Sequence, residues 1–139
     1  MPNVEPIFRS TCCMSHVGSK KLIFLIQKTT MSCLDVSNSS NPWTEIKLNL
    51  NGEELNTKMG MTCLQNDSLL LFGGETTTDV VDSDKTLVLY RESNQTFSTK
   101  KSSPLPTPCT PASTSYMLSN SSFYYFLSNE GYVYRLNKI

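Results

Sequence analysis

Ser68-Leu69-Leu70-Leu71-Phe72-Gly73-Gly74-Glu75 is the stretch that decides the fold, followed sixteen residues after its second glycine by Tyr90 and seven residues later by Phe97. Four large apolar residues in a row predict a fully buried strand. The glycine pair predicts that this strand stops against a tight turn, because only glycine takes φ > 0 without steric cost. A strand of this kind must be covered on both faces by neighbouring units, so the residues point to a repeat architecture before any chemistry.

The same order of events recurs on either side. Thr11-Cys12-Cys13-Met14-Ser15-His16 leads through the turn Val17-Gly18-Ser19 into a strand over 21–27. A strand over 31–36, a polar loop over 37–41 and Trp43-Thr44-Glu45-Ile46 follow. In the middle segment a strand over 60–64 and the turn Gln65-Asn66-Asp67 precede the buried strand. An acidic loop over 75–85 then leads to Thr86-Leu87-Val88-Leu89-Tyr90, the turn Ser93-Asn94-Gln95 and Thr96-Phe97-Ser98. The loop lacks the central glycine and twelfth-position glutamate of an EF-hand, so its acids read as solvated. Beyond it, Pro104, Pro106, Pro108 and Pro111 make 103–111 an extended connector. It reads as a linker rather than a polyproline ligand. A strand over 113–118, a turn over 119–122 and a hairpin of Phe123-Tyr124-Tyr125-Phe126-Leu127 with Tyr132-Val133-Tyr134-Arg135-Leu136 complete the third segment. The spacing is roughly 40 to 50 residues, the range of propeller blades.

Composition agrees with this pattern. Charged residues are 17% of the chain, below the roughly 25% of ordinary soluble domains. Ser, Thr and Asn, which compete for backbone hydrogen bonds, supply most of the polarity, and Ala112 is the one alanine. The expectation is an all-β chain. Its 139 residues suit one domain with one core, and twelve basic residues offset twelve acidic ones without forming a basic face, so nucleic acid and anionic lipid are not expected partners.

Cys12, Cys13, Cys33, Cys63 and Cys109 contain no C-x-x-C spacing, and His16 is the sole histidine, so neither a zinc set nor a disulfide framework is expected. They read as buried free thiols. Met1-Pro2-Asn3-Val4-Glu5-Pro6 has no signal-peptide character, which favours a cytoplasmic location, and the longest early apolar run, Leu22-Ile23-Phe24-Leu25-Ile26, is too short to span a bilayer. Against that location stand four Asn-x-Ser/Thr sequences, at Asn38, Asn66, Asn94 and Asn120.

The middle segment resembles the kelch repeat, with Leu69-Leu70-Leu71-Phe72-Gly73-Gly74 as strand and glycine pair, Tyr90 as the tyrosine and Phe97 in place of the tryptophan. Cys33-Leu34-Asp35-Val36-Ser37 followed by Pro42-Trp43 is similar to the end of another such blade, in particular in the large kelch-type sets of fungi. Ile26-Gln27 and Leu127-Ser128 stand where the other two glycine pairs would be. The resemblance implies a leader over 1–7 and a partial or open kelch-like β-propeller over 8–139. Its four-stranded antiparallel blades would lie near 8–50, 51–102 and 103–139. It assigns structural roles to Gly73, Gly74, Tyr90, Phe97 and Trp43, the aromatics filling the space between blades.

Three blades are fewer than the four to eight of closed propellers, so a protein partner or self-association is expected to complete the ring. No catalytic constellation accompanies the resemblance: His16 reads as structural, and no Gly-x-Ser-x-Gly elbow or phosphate loop occurs. Neither catalytic, cofactor nor metal residues are expected. The function implied is a non-catalytic protein–protein interaction module working through the connectors 37–41, 75–85 and 102–111. The alternative is a secreted or cell-surface glycan-binding propeller fragment.

Overall fold

The computed structural model describes residues 11–17, 20–27, 29–64, 68–111, 118–119, 122–128 and 130–137, and among them the chain is all-β with no helix. Strands β1 (Thr11–Val17), β2 (Lys20–Gln27), β3 (Thr30–Asp35) and β4 (Thr44–Asn49) follow one another as an antiparallel meander. A second meander is built from β5 (Gly60–Cys63), β6 (Leu69–Phe72), β7 (Thr86–Ser93) and β8 (Thr96–Lys101). Strands β9 (Leu118–Ser119), β10 (Phe123–Leu127) and β11 (Val133–Asn137) form a separate three-stranded sheet in the order β11-β10-β9.

Sequence reading expects separate antiparallel units, and here the fold departs from it. The last strands of the two meanders pair in parallel, Lys47 with Thr96, Leu48 with Phe97 and Asn49 with Ser98, extended by the Lys47 amide donating to the Gln95 carbonyl at 2.8 Å. Left alone, each would be an edge with unpaired backbone groups, and the pairing removes both edges at once. The result is one eight-stranded mixed sheet, β1-β2-β3-β4-β8-β7-β6-β5. It curls into a half-barrel in which the remaining edges, β1 and β5, approach within 8 Å between Cα atoms.

Side-chain alternation sets what lies inside. On β2, Leu22, Phe24 and Ile26 are buried while the residues between them are half-buried. They form one core with Met31, Ile46, Met61, Leu69, Leu71, Leu87, Leu89 and Phe97, drawn from both meanders. Phe24 of the first and Phe97 of the second meet edge to face at 5.9 Å between ring centroids, the favoured aromatic geometry. Leu70 and Phe72 point to the other side of β6, where Leu105 and Cys109 cover them. The run 69–72 lacks alternation because both its faces are buried. The proline-rich connector is therefore also part of the packing, contributing a buried Leu105, Cys109 and Thr110.

Register also separates two of the aromatics. Arg91 pairs with Phe97 and Tyr90 with Ser98, so Tyr90 and Phe97 occupy opposite faces of the sheet. Phe97 is fully buried, Tyr90 is half-buried, and Trp43 is half-buried just ahead of β4 rather than inside it.

The leader 1–7, the turn residues Gly18, Ser19, Gln65, Asn66 and Asp67, most of the strand expected over 113–118, and Asn120, Ser121 and Asn129 lie outside the described residues. Ser119, expected in a turn, ends β9. Among the described residues no helix is long and apolar enough to cross a membrane.

Candidate functional site

Strand direction decides which connectors share an end of the sheet. Neighbours are antiparallel within each meander and β4 runs parallel to β8. The connector β6–β7 (73–85), the segment after β8 (102–111) and the connector β4–β5 (50–59) therefore leave from one end. The β3–β4 loop over 37–41 leaves from the other, together with the β7–β8 turn. The three connectors singled out in the sequence thus divide two and one, because a loop's end depends on how many strands precede it, which loop composition does not reveal.

The shared end is tied together by backbone hydrogen bonds. Gly73 N–H donates to the Lys85 carbonyl at 2.9 Å, Gly74 N–H to Cys109 at 3.0 Å, and Ser83 N–H to Gly74 at 2.9 Å. Thr57 and Glu75 exchange bonds of 3.0 and 2.8 Å, while Leu105 N–H reaches Asp84 at 2.8 Å and Cys109 N–H reaches Ser83 at 3.2 Å. Side chains complete the connections: Thr110 Oγ1 donates to Asp82 Oδ1 at 2.7 Å, Asn56 Nδ2 to the Gly73 carbonyl at 3.1 Å, and Lys85 Nζ to the Glu54 carbonyl at 2.9 Å. Lys58 Nζ lies 3.0 Å from Glu75 Oε1.

Both glycines sit in the left-handed region, φ +66° at Gly73 and +88° at Gly74. A Cβ on Gly73 would lie 2.5 Å from the Cys109 carbonyl oxygen, and one on Gly74 would strike the Thr57 carbonyl oxygen and lie 3.0 Å from the Met59 amide nitrogen. The sequence announces the turn at this pair. Its second requirement, the close approach of two neighbouring backbones, is visible only in three dimensions.

From this anchored base the loop projects Val80 and Val81. Thr76 N–H donates to the Val81 carbonyl at 2.9 Å and Val80 N–H to the Thr76 carbonyl at 3.2 Å, closing a short hairpin-like tip. Val80 has φ +52°, a left-handed conformation that is an outlier for a β-branched residue. Yet the two valines are 67% and 53% exposed, so burial does not compensate for that strain or for the apolar surface shown to water. Reading 75–85 as a solvated acidic connector overlooks them. The signal available was two adjacent β-branched apolar residues in a loop otherwise made of polar and charged residues.

The acids of the loop are spread out, and among the described residues no three His, Cys, Asp or Glu side chains gather as metal ligands. Of the thiols, Cys109 is held up to about 11 by burial, reinforced by the charges of Asp82 and Glu130. Burial also raises Cys33, opposed by the Arg91 charge. Both are protonated at neutral pH and poor nucleophiles. The side chains of Cys12, Cys13 and His16 lie outside the described residues. No protein-family model matches the sequence, and no curated protein matches it at a significant level.

Proposed function

We propose that the chain is a non-catalytic protein–protein interaction module built from kelch-like blades, and that the end carrying the 75–85 loop is its contact surface. The observation that carries this reading is the Val80–Val81 tip: exposed, apolar and held in a strained conformation by a base fixed on three sides. Strain that persists without internal packing to reward it points to use outside the fold. Rigid loops that present apolar side chains lose little entropy on binding. The blade reading is supported by two successive four-stranded meanders and by the positive φ of Gly73 and Gly74, where the kelch pattern has its glycine pair. The partner is another protein or a second copy of the chain.

The test is a photoreactive amino acid placed at position 81 of the full chain, with one at position 92, an exposed β7 residue toward the other end, for comparison. The expected result is one discrete adduct from position 81, suppressed by Val80→Asp and absent from position 92. Its mass distinguishes a second copy from a different protein. No adduct from position 81, or the same adducts from both positions, overturns the assignment.

A further inference from the structure

The end of the sheet opposite the 75–85 loop has a chemistry of its own, carried by its asparagines. Of the four Asn-x-Ser/Thr sequences, Asn38-Ser39-Ser40 lies in the β3–β4 loop and Asn94-Gln95-Thr96 begins at the β7–β8 turn. Both asparagines are exposed, and by strand direction both connectors leave from this same end. Asn66 and Asn120 lie outside the described residues.

What separates these two from other connector asparagines is the side-chain amide nitrogen. Asn41, Asn51 and Asn56, none of which begins such a sequence, each use Nδ2 structurally, donating to the carbonyls of Asp35 at 3.1 Å, Thr99 at 2.9 Å and Gly73 at 3.1 Å. In Asn38 and Asn94, Nδ2 has no partner among the described residues. Asn38 engages only its oxygens. Its Oδ1 accepts from the Ser40 amide at 3.0 Å and from the Ser40 hydroxyl at 2.9 Å, and its carbonyl accepts from the Asn41 amide at 3.1 Å. Asn94 offers its carbonyl to Arg91 Nη1 at 3.1 Å. A substituent on either Nδ2 would extend into solvent without costing the fold a hydrogen bond or a buried contact.

We infer that this end is a carrier of N-linked glycan, attached at Asn38 and Asn94. The donor is an oligosaccharide linked through pyrophosphate to a lipid. Asparagine Nδ2 attacks the anomeric carbon, forming the N–C bond, while the bond from that carbon to the pyrophosphate oxygen breaks and the lipid pyrophosphate leaves with the electron pair. One amide proton is lost. The hydroxyl two residues on, Ser40 or Thr96, is what the transfer requires of the acceptor sequence. Glycan here would cover one end of the sheet and leave the 75–85 end open. The inference does not depend on the interaction reading, since it rests on the opposite end and on different residues.

The test is residue-resolved mass spectrometry on the chain isolated from the cells that make it, with and without peptide N-glycosidase. Glycosidase-dependent conversion of asparagine to aspartate at position 38 or 94, with the matching loss of mass from the intact chain, is the expected result. Unmodified asparagine at both positions, or glycan confined to Asn66 or Asn120, overturns it. In the double variant Ser40→Ala with Thr96→Ala, both asparagines remain but modification at 38 and 94 should be lost, with the chain still folded by circular dichroism. Modification persisting at either position in that variant would equally overturn the assignment.

Discussion

Replacing Gly74 separates two costs that a left-handed glycine can hide. At Gly52, φ is +83° and a Cβ would meet nothing within 4 Å, so Gly52→Ala should cost only the conformational penalty of an L-residue there, about 1–2 kcal/mol. Gly74 has nearly the same φ, +88°, but its Cβ would strike the Thr57 carbonyl oxygen. Moving that carbonyl disturbs the paired Thr57–Glu75 bonds of 3.0 and 2.8 Å, and shifting Gly74 instead disturbs its own bond to Cys109. With each bond worth about 1 kcal/mol, Gly74→Ala should cost roughly 3–4 kcal/mol, a large share of the 5–15 kcal/mol that stabilises a typical domain. Gly74→Val, which adds β-branching, should leave the second meander unfolded. Equilibrium urea denaturation of the two alanine variants, followed by fluorescence and circular dichroism, reads the difference directly. If Gly74→Ala is no more destabilising than Gly52→Ala, the close-approach argument for the glycine pair is wrong.

Phe97→Ala removes the ring that packs edge to face on Phe24 and should cost about 3–5 kcal/mol by urea denaturation. Val80→Gly should be neutral to stabilising by about 1 kcal/mol, because relief of the left-handed strain outweighs the entropy that glycine adds to the unfolded chain, whereas a clear loss would show that Val80 packs in the fold. Thr99 Oγ1 is buried with no hydrogen-bond partner among the described residues, so Thr99→Val should raise stability by about 1 kcal/mol, read as a higher urea midpoint at unchanged m. Cys109 loses its proton at about 11 in the folded chain and near 9 when unfolded. Above pH 9 the unfolded state therefore binds fewer protons, and stability falls as pH rises toward 11. A Cys109→Ala variant should lose that part of the alkaline decline, and native Cys109 should resist alkylation at pH 8 until the chain is unfolded.

The parts of the fold legible in the sequence are those decided by neighbours along the chain. The run Leu69–Phe72 announces burial on both faces because it does not alternate, and Gly73-Gly74 announces a turn because of the φ it permits. The β7–β8 hairpin is likewise announced by the polar turn Ser93-Asn94-Gln95 that follows the apolar start of β7. What stays hidden depends on residues remote in sequence. Nothing in Lys47-Leu48-Asn49 indicates a parallel partner in Thr96-Phe97-Ser98, and without that pairing the end from which each connector leaves cannot be assigned. The same holds for the candidate site. Its acids and prolines draw notice in the sequence, whereas its distinguishing features are an exposed valine at positive φ and a connector whose Leu105 and Cys109 pack beneath Leu70 and Phe72.

The parallel joint also brings the two meanders onto a shared core. Leu22, Phe24, Ile26, Met31 and Ile46 come from the first, and Met61, Leu69, Leu71, Leu87, Leu89 and Phe97 from the second, yet they form a single core. Separating the halves would return both sets to water, at about 25 cal/mol for each Å² of apolar surface exposed. Edge pairing of β4 with β8 holds the two faces in register while that surface stays buried. The repeat logic drawn from one glycine-terminated strand therefore applies to this pair in a specific form. Each four-stranded unit completes the other's inner face, and the outer face of β6 must draw on the segment that follows, which it does through Leu105 and Cys109.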